Sequence, residues 1–466
     1  MDSRHGTFGL ARLQMGCRWM SVMTNNFSEQ TVTRLNELVG RTGLVGGTLE
    51  LPEADGDRRM SIYAASTGNL AAVLDGVNAS TRGASTWGTI DGAGGAFTSE
   101  DARLLSIAEG VERYASCVYD ERQFVWATGR ELGGEAVDLD EFPCMSEAET
   151  RRTPVSWVKP NMDVPMRWVK SVCMLTGAIR WIPAVAVYLH LPFASSGERF
   201  TVPISTGCAL HTDPQLAMRN ALLEVIERDA VALTWLQQIR WPRLDATLLS
   251  DSEEVAMAMQ PSSAQEMQFF NATTDLGVPT VYGVSVSPRH PKVRQVVVAV
   301  TSWDFDSAVI KLVREAISCR IALEHRHLER TDPTQFFAVH DGALYMASPE
   351  RSSAFRFLMD DSLGPRGTPQ PVKNLGKDAD GAEAVRWLLG ILHEHKMSAY
   401  VVNLTSREVN DAGLFCVRVV VPQLMPLSFV HLAQFRGSRR LYEAPANMGY
   451  IIHREDDLNP WPQPFA

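Results

Sequence analysis

Two segments far apart in the chain carry the same pattern: Ser106-Ile-Ala-Glu-Gly-Val-Glu-Arg-Tyr114 and Asn220-Ala-Leu-Leu-Glu-Val-Ile-Glu-Arg-Asp-Ala230, each containing Glu-x-x-Glu-Arg. On a helix, residues three and four apart share a face. Glu109 therefore lies beside Glu112 and Arg113, and Glu224 beside Glu227 and Arg228, with Asn220 one turn back. In the second segment Leu222, Leu223, Val225, Ile226, Ala230 and Val231 fill most of the remaining surface. A helix that is apolar nearly all round is buried, so its carboxylates are expected to be buried with it. Buried carboxylates need a cation or hydrogen-bond donors. Two such helices facing each other make a cage of four carboxylates, Glu109, Glu112, Glu224 and Glu227, which suits Mg²⁺. The plainer alternative is two helices with ordinary Glu–Arg pairs at their surfaces.

Composition narrows the partners. The 466 residues carry a formal charge of −10, from 44 basic and 54 acidic side chains. That argues against a nucleic-acid surface. No apolar run approaches the ~20 residues of a membrane span, and the Arg-containing first 23 residues lack the continuous apolar core of a secretory signal. The seven cysteines are scattered and never spaced Cys-x-x-Cys. They read as free thiols of a cytoplasmic protein without a structural zinc site. A Gly-x-x-x-x-Gly-Lys-Ser/Thr loop, a Gly-x-Gly-x-x-Gly after a strand, and His-Glu-x-x-His are all absent from the sequence, so a P-loop, a Rossmann site and a zincin are not expected. The glycine cluster 92–95 reads as a turn.

The pattern of elements is mixed α+β. Helices are expected from Ser99 through Arg113, from Pro214 after a His-Thr-Asp start, over Ser307–Arg330 and over Ala382–His395. Strands are expected over Trp181–Leu191, Thr201–Leu210, Ala399–Leu404 and Cys416–Val421, with a hairpin from Thr280–Ser287 and Val293–Thr301. Residues 133–165 and 361–383 read as loops, and the chain after Arg440 as irregular. Residues 1–35 are expected to be a disordered tail and 36–466 one domain. The two Glu-x-x-Glu-Arg helices, each behind a Gly-containing turn, hint at an internal duplication.

Several segments, in this order, resemble the YcaO family, in particular its azole-forming cyclodehydratases. Gly94-Gly-Ala-Phe-Thr-Ser-Glu-Asp-Ala102 leading into Glu109-Gly-Val-Glu-Arg-Tyr114 is similar to its first block. Ser205-Thr-Gly-Cys-Ala209 followed by Asn220–Ala230 is similar to its second. Glu315-Ala-Ile-Ser-Cys-Arg320 sits where the family carries Glu-x-x-Gln. Gly413–Leu424, Gly437-Ser-Arg-Arg-Leu-Tyr-Glu-Ala-Pro445 and the Pro460-Trp-Pro-Gln-Pro464 ending resemble the late strand and C-terminus of peptide-modifying members. Leu38–Val45 is a weaker match. The sequence departs from the family at three places: Ser318 replaces the usual Gln, Ser106 is one residue nearer Glu109 than the usual serine, and Phe465-Ala466 follow the last proline.

The resemblance implies a YcaO-type fold with an ATP site that lacks a P-loop and lies between glutamate-bearing helices. Glu109, Glu112, Asn220, Glu224, Glu227 and Glu315 become nucleotide and Mg²⁺ ligands, with Arg41 a further phosphate contact; Arg113 and Arg228 either orient the carboxylates or touch phosphate. It implies cyclodehydration of a ribosomally made precursor peptide, in which a Cys, Ser or Thr side chain closes onto the preceding amide and ATP phosphorylates the amide oxygen. Pro460, Pro462 and Pro464, stiff as polyproline II, would aim the tail, and the carboxylate of Ala466 would serve as or lie near the general base. A ThiF-like leader-binding partner and a flavin dehydrogenase are implied, and a homodimer is compatible. Two other functions stay open: a YcaO enzyme making a thioamide or amidine, and a non-catalytic scaffold subunit, for which Ser318 speaks.

Overall fold

The computed structural model describes residues 28–52, 60–68, 70, 73–74, 77, 91–152, 157–260, 262, 265–375 and 379–465. Its first element is helix α1 (Glu29–Glu37), capped by the Ser28 side chain, which accepts from Thr31 N. Leu35 of α1 is buried in the core. Helix α1 thus falls inside the stretch expected to be a tail; residues 1–27 lie outside the described residues.

Strands β1 (Gly47–Leu51), β2 (Ser61–Ser66) and β3 (Gly92–Ala96) form an antiparallel sheet in that order. Helix α2 (Ser99–Cys117) follows, opened by Thr98, whose hydroxyl accepts from Asp101 N. Strands β4 (Val125–Ala127), β5 (Met166–Cys173), β6 (Ile179–Pro183) and β7 (Cys208–His211) come next. Helix α3 (Pro214–Leu236) starts at Asp213, whose carboxylate caps Gln215 and Leu216, with Pro214 in the first turn where no N–H is needed. Strands β8 (Glu266–Asn271), β9 (Thr280–Val286) and β10 (Gln295–Thr301) form a second antiparallel three-stranded sheet, with β9 central. Helix α4 (Phe305–Glu324), capped by Asp304, lies behind it. The chain continues through α5 (Val339–Ala347), α6 (Gly381–Glu394), β11 (Tyr400–Asn403), β12 (Phe415–Val420) and α7 (Arg440–Asn447). The largest sheet runs β4-β5-β11-β12-β7, with β6 paired to β5.

Three helices connect the three sheets. Helix α2 packs on β2 and β3 and also touches β7 and β12; α3 packs on β7 and β12 and touches β10; α4 packs on β9 and β10 and reaches β3. Each glutamate-bearing segment is therefore wedged between two sheets, and β7 meets both α2 and α3. Trp168, Trp235 and Trp241 are among the largest fully buried side chains.

The structure corrects several expectations. Gly92–Gly95 is not a turn but strand β3. Its glycines are required by close packing: a Cβ on Gly92 would lie 2.0 Å from Ser106 O, and one on Gly94 2.2 Å from Ala102 O, both on α2. The expected strand Trp181–Leu191 stops at Pro183; beyond it Val185, Val187 and Leu191 are buried without strand pairing. The expected strand Thr201–Leu210 is confined to Cys208–His211, because Pro203 and the Gly207 turn (φ +82°) interrupt it. Helix α4 ends at Glu324, six residues before Arg330. Strand β5 was not anticipated, and a helix, α7, occupies the first turns after Arg440.

Candidate functional site

The glutamates of α2 and α3 have corresponding partners. In each helix the first glutamate reaches back to the backbone just before its own helix: Glu109 Oε2 accepts from Ala93 N at 2.6 Å, and Glu224 Oε2 from Gly207 N at 3.0 Å. In each, the same glutamate pairs with the arginine four residues on: Glu109 Oε1 to Arg113 Nη2 at 2.5 Å, and Glu224 Oε1 to Arg228 Nη2 at 3.1 Å. The second glutamate reaches another segment. Glu112 Oε2 accepts from Leu210 N of β7 at 3.1 Å, and Glu227 Oε2 from Thr301 N of β10 at 2.9 Å. This matched arrangement is what the hinted duplication leads one to expect. Arg228 Nη1 also donates to Glu227 Oε1 at 2.8 Å, so one guanidinium joins both acids of α3.

These carboxylates share one electrostatic neighbourhood. Burial raises Glu112 well above the ordinary carboxylate range; the charges of Glu224 and Glu109 add to it, while Arg113 and the Leu210 N–H oppose it. The two helices therefore do converge. Glu227, only 4% exposed, is pushed up to about 7 by burial and by Glu315, against the pull of Arg228 and Lys311. Glu315 on α4 thus joins the cage from a third helix. Lys311, one turn before it, sits with Nζ 3.4 Å from Glu315 Oε1. Its charged form is stabilised first by Glu315, then by Glu227 and Glu224. Lys311 was not singled out in the sequence; its only signal there is its place four residues before Glu315.

The proline tail is buried rather than free. Asn459 N donates to Leu236 O at 2.9 Å, and Trp235 Nε1 donates to Trp461 O at 3.0 Å, both at the C-terminal end of α3. Pro460 is exposed, whereas Pro462, Gln463, Pro464 and Phe465 are buried. Gly342 of α5 makes room: a Cβ there would lie 2.2 Å from Gln463 O. The Phe465 ring ends 4.6 Å from the Arg228 guanidinium carbon, a cation–π contact on the arginine that joins Glu224 and Glu227. Ala466 lies outside the described residues.

Two expected ligands are less engaged. Asn220 lies one turn before Glu224, but its Oδ1 accepts from Arg219, whose guanidinium stacks 4.7 Å from the Trp303 ring. Arg41 is exposed in the turn before Val45, with no hydrogen bond or ion pair to the glutamates among the described residues. Ser318 packs directly on β3: its Oγ would be 2.0 Å from a Cβ on Gly95. Ser106 donates to Arg103 O instead of facing the glutamates.

The donor set fits magnesium in kind and in charge. The candidate Mg²⁺ ligands are carboxylate oxygens, the hard donors Mg²⁺ takes, and the burial and repulsion that lift Glu112 and Glu227 are what a divalent cation offsets. Among the described residues no three acidic, His or Cys side chains stand as a ready-made metal cluster; the carboxylates are tied instead to backbone N–H groups and arginines. Also among the described residues, the six cysteines are free thiols, and no helix is long and apolar enough to cross a membrane.

A mixed α+β architecture with carboxylates from three helices facing one another defines the class. The family model described as YcaO cyclodehydratase, ATP- and Mg²⁺-binding, matches residues 93–425, and the chain belongs to the YcaO family. Among solved structures, a heterocyclase in complex with substrate and cofactor aligns with a TM-score of 0.73 at 21% identity, covering 94% of this chain and 57% of that one. The heterocyclase TruD aligns with a TM-score of 0.59 at 21% identity, covering 78% and 50%. YcaO from Methanopyrus kandleri bound with AMPPCP and Mg²⁺ aligns with a TM-score of 0.53 at 16% identity, covering 88% and 90%. The chain thus spans 57% and 50% of the length of the two heterocyclases. These likenesses establish the fold. No curated protein matches the sequence.

Proposed function

We propose that this chain is an ATP- and Mg²⁺-dependent cyclodehydratase that forms azolines in a ribosomally made precursor peptide. The observation that carries the reading is the convergence of Glu109, Glu112, Glu224, Glu227 and Glu315 from three helices, with Arg228 and Lys311 set among them. In the reaction a Cys, Ser or Thr side chain attacks the carbonyl carbon of the preceding amide. The amide oxygen takes the terminal phosphoryl group of ATP, giving ADP. Loss of that oxygen as phosphate, with the nucleophile's proton and the amide proton released, leaves a thiazoline or oxazoline. Glu109, Glu112, Glu224 and Glu227 would hold Mg²⁺, which would supply charge neutralisation. The protein's own part is orientation and the placement of charge. Arg228 keeps Glu224 and Glu227 in place, and Phe465 holds the tail against Arg228. Asn220 and Arg41 are carried over from the resemblance as further nucleotide contacts, and the Ala466 carboxylate as a base.

The substrate and partners are part of the same proposal: a precursor peptide, a ThiF-like protein that captures its leader, and a flavin dehydrogenase acting afterwards. Support comes from the likeness to the E. coli microcin synthetase McbBCD complex (TM-score 0.60, 15% identity, 89% of this chain and 96% of that chain), which has also been seen with pro-MccB17 bound. A second reading, a scaffold subunit without catalysis, is favoured by Ser318, whose short side chain is packed on Gly95. One experiment separates them. With partner, precursor and ATP present, the enzyme should remove the mass of one water per ring, and Glu224→Gln should abolish both this loss and ATP turnover. Unaltered peptide mass with the wild-type chain contradicts the cyclodehydratase, and full complex activity with Glu224→Gln supports the scaffold.

A further inference from the structure

The proline tail is poorly equipped to hold itself in place by backbone pairing. Pro460, Pro462 and Pro464 bring no N–H, and Trp461 N donates to Asn459 Oδ1 within the tail itself. The contacts that tie the tail down past Asn459 are the Trp461 carbonyl, taken by Trp235 Nε1, and two aromatic side chains. Each of those rings lies against an arginine. Phe465 meets Arg228, and Trp461 meets Arg351, whose guanidinium carbon is 5.6 Å from the ring centroid.

Arg351 is carried by a 3₁₀ turn, Pro349–Phe355, that is pinned beside the tail. Ser352 Oγ donates to Gln295 Oε1 of β10 at 2.9 Å, and Gln295 Nε2 donates to Met346 O and Ser348 O at 2.6 Å each. At the far end of the turn Phe355 stacks 5.3 Å from Trp235, the residue that holds Trp461 O. The Arg351 guanidinium also lies 4.4 Å from the ring of Tyr345 on α5. Tyr345 is set by Phe336 at 5.4 Å, and the same helix makes room for Gln463 at Gly342. Charge does not explain Arg351. Among the described residues its guanidinium makes no hydrogen bond or ion pair, and its Nε is buried without a partner. A buried donor left unmade is destabilising, so a neutral chain of similar length would suit the fold better. What arginine adds is a flat cation that stacks on aromatic rings.

Resting on the reading that the tail serves the reacting amide, we propose that Arg351 is a positioning residue of cyclodehydration, which clamps Trp461 and so aims the end of the tail. The prolines fix φ and keep the tail stiff, so the place of Trp461 sets the place of the terminus. A shift of about 1 Å at a reacting group can slow a reaction about a hundredfold.

Two readouts test this on Arg351→Met, Arg351→Lys and Trp461→Leu. The first needs no activity: release of Ala466 and Phe465 by carboxypeptidase Y, followed by intact mass. Phe465 is 6% exposed in the seated tail. Arg351→Met and Trp461→Leu should speed its release about tenfold or more by opening the tail locally, with the melting temperature of Arg351→Met unchanged. Arg351→Lys should fall between, since lysine keeps the charge but not the plane. The second is water loss with partner, precursor and ATP. In Arg351→Met kcat should fall about tenfold or more while KM for ATP stays within about twofold. Adding Arg351→Met to Trp461→Leu should bring no further loss, because the two residues act as one contact. Wild-type release of Phe465, or a wild-type kcat, in Arg351→Met overturns the proposal. A lowered melting temperature with no split between kcat and KM also overturns it, by making Arg351 structural. Deleting Phe465 and Ala466 from the otherwise wild-type chain tests the reading beneath: unchanged water loss there refutes a tail that serves the reaction, and the release rates alone then judge the clamp.

Discussion

Arg440 shows at a single residue how the site is braced from behind. Its guanidinium donates to both oxygens of Asp229 and both of Asp275, and all three side chains are at most 8% exposed. Asp229 directly follows Arg228 on α3, and its Oδ1 also accepts from Met425 N. Burial raises the Asp229 carboxyl; Arg440 is its main opposing influence. Removing one partner of such a network leaves uncompensated buried charge, which costs about 3–5 kcal/mol. Arg440→Met should therefore lower the unfolding free energy by about that amount in urea titrations. An unchanged midpoint would mean that the two aspartates are neutral or solvated when the arginine is lost. The sequence reading reached Arg440 only as part of a segment similar to family C-termini. Its partners lie 165 and 211 residues away, a separation no local pattern reveals.

At the scale of elements, the two glutamate helices were legible and the surfaces they rest on were not. Their 3.6-residue periodicity and start signals are local features: α3 is capped at the expected Asp213, and α2 starts at the expected Ser99, with Thr98 just before it as the cap. The β9–β10 hairpin was legible for the same reason: β-branched runs with turn residues between them. Strand β3 was missed because glycine carries two meanings. Gly-Ala-Gly-Gly-Ala has low strand propensity and reads as a turn, yet only glycine admits the α2 backbone so closely. Gly94→Ala tests this: the added Cβ would sit 2.2 Å from Ala102 O and 2.4 Å from Ser106 N, where backbone must give way. Overpacking of this kind costs about 1–3 kcal/mol. A lower melting temperature is expected, and weaker AMPPCP binding, because Ala93 N also positions Glu109. A wild-type melt would show that α2 moves away from β3 without penalty. The tail was half legible: its prolines signalled stiffness, but its burial depends on Gly342 and Trp235, which lie 121 and more residues away.

Across the whole molecule, three buried imidazoles make the fold sensitive to acid. His190, His340 and His431 are each held near 4, below the ordinary 6.5, primarily by burial; arginines add to the effect at His340 and His431. The unfolded chain therefore binds protons that the folded chain refuses between about pH 6.5 and 4, and stability falls as pH drops through that window. Each such group contributes about 1.4 kcal/mol per pH unit there. His431, opposed by Arg436 and drawn by Asp332, isolates the effect. Between pH 6.5 and 5, His431→Gln should lose less stability than the wild-type chain by about that slope; parallel curves would place His431 charged in the fold.

The central claim is that α2 and α3 bring their acids to one metal-bound polyphosphate. Its most direct measurement is a double-mutant cycle on Mg²⁺-dependent AMPPCP binding, with Glu112→Gln, Glu224→Gln and the double variant compared by calorimetry. Glu112 senses Glu224 directly. The expected result is that each single variant weakens binding and that the double variant falls short of the sum by about 1 kcal/mol or more, the mark of residues acting on one ligand. Wild-type binding in either single variant, or losses additive to within about 0.5 kcal/mol, would contradict it.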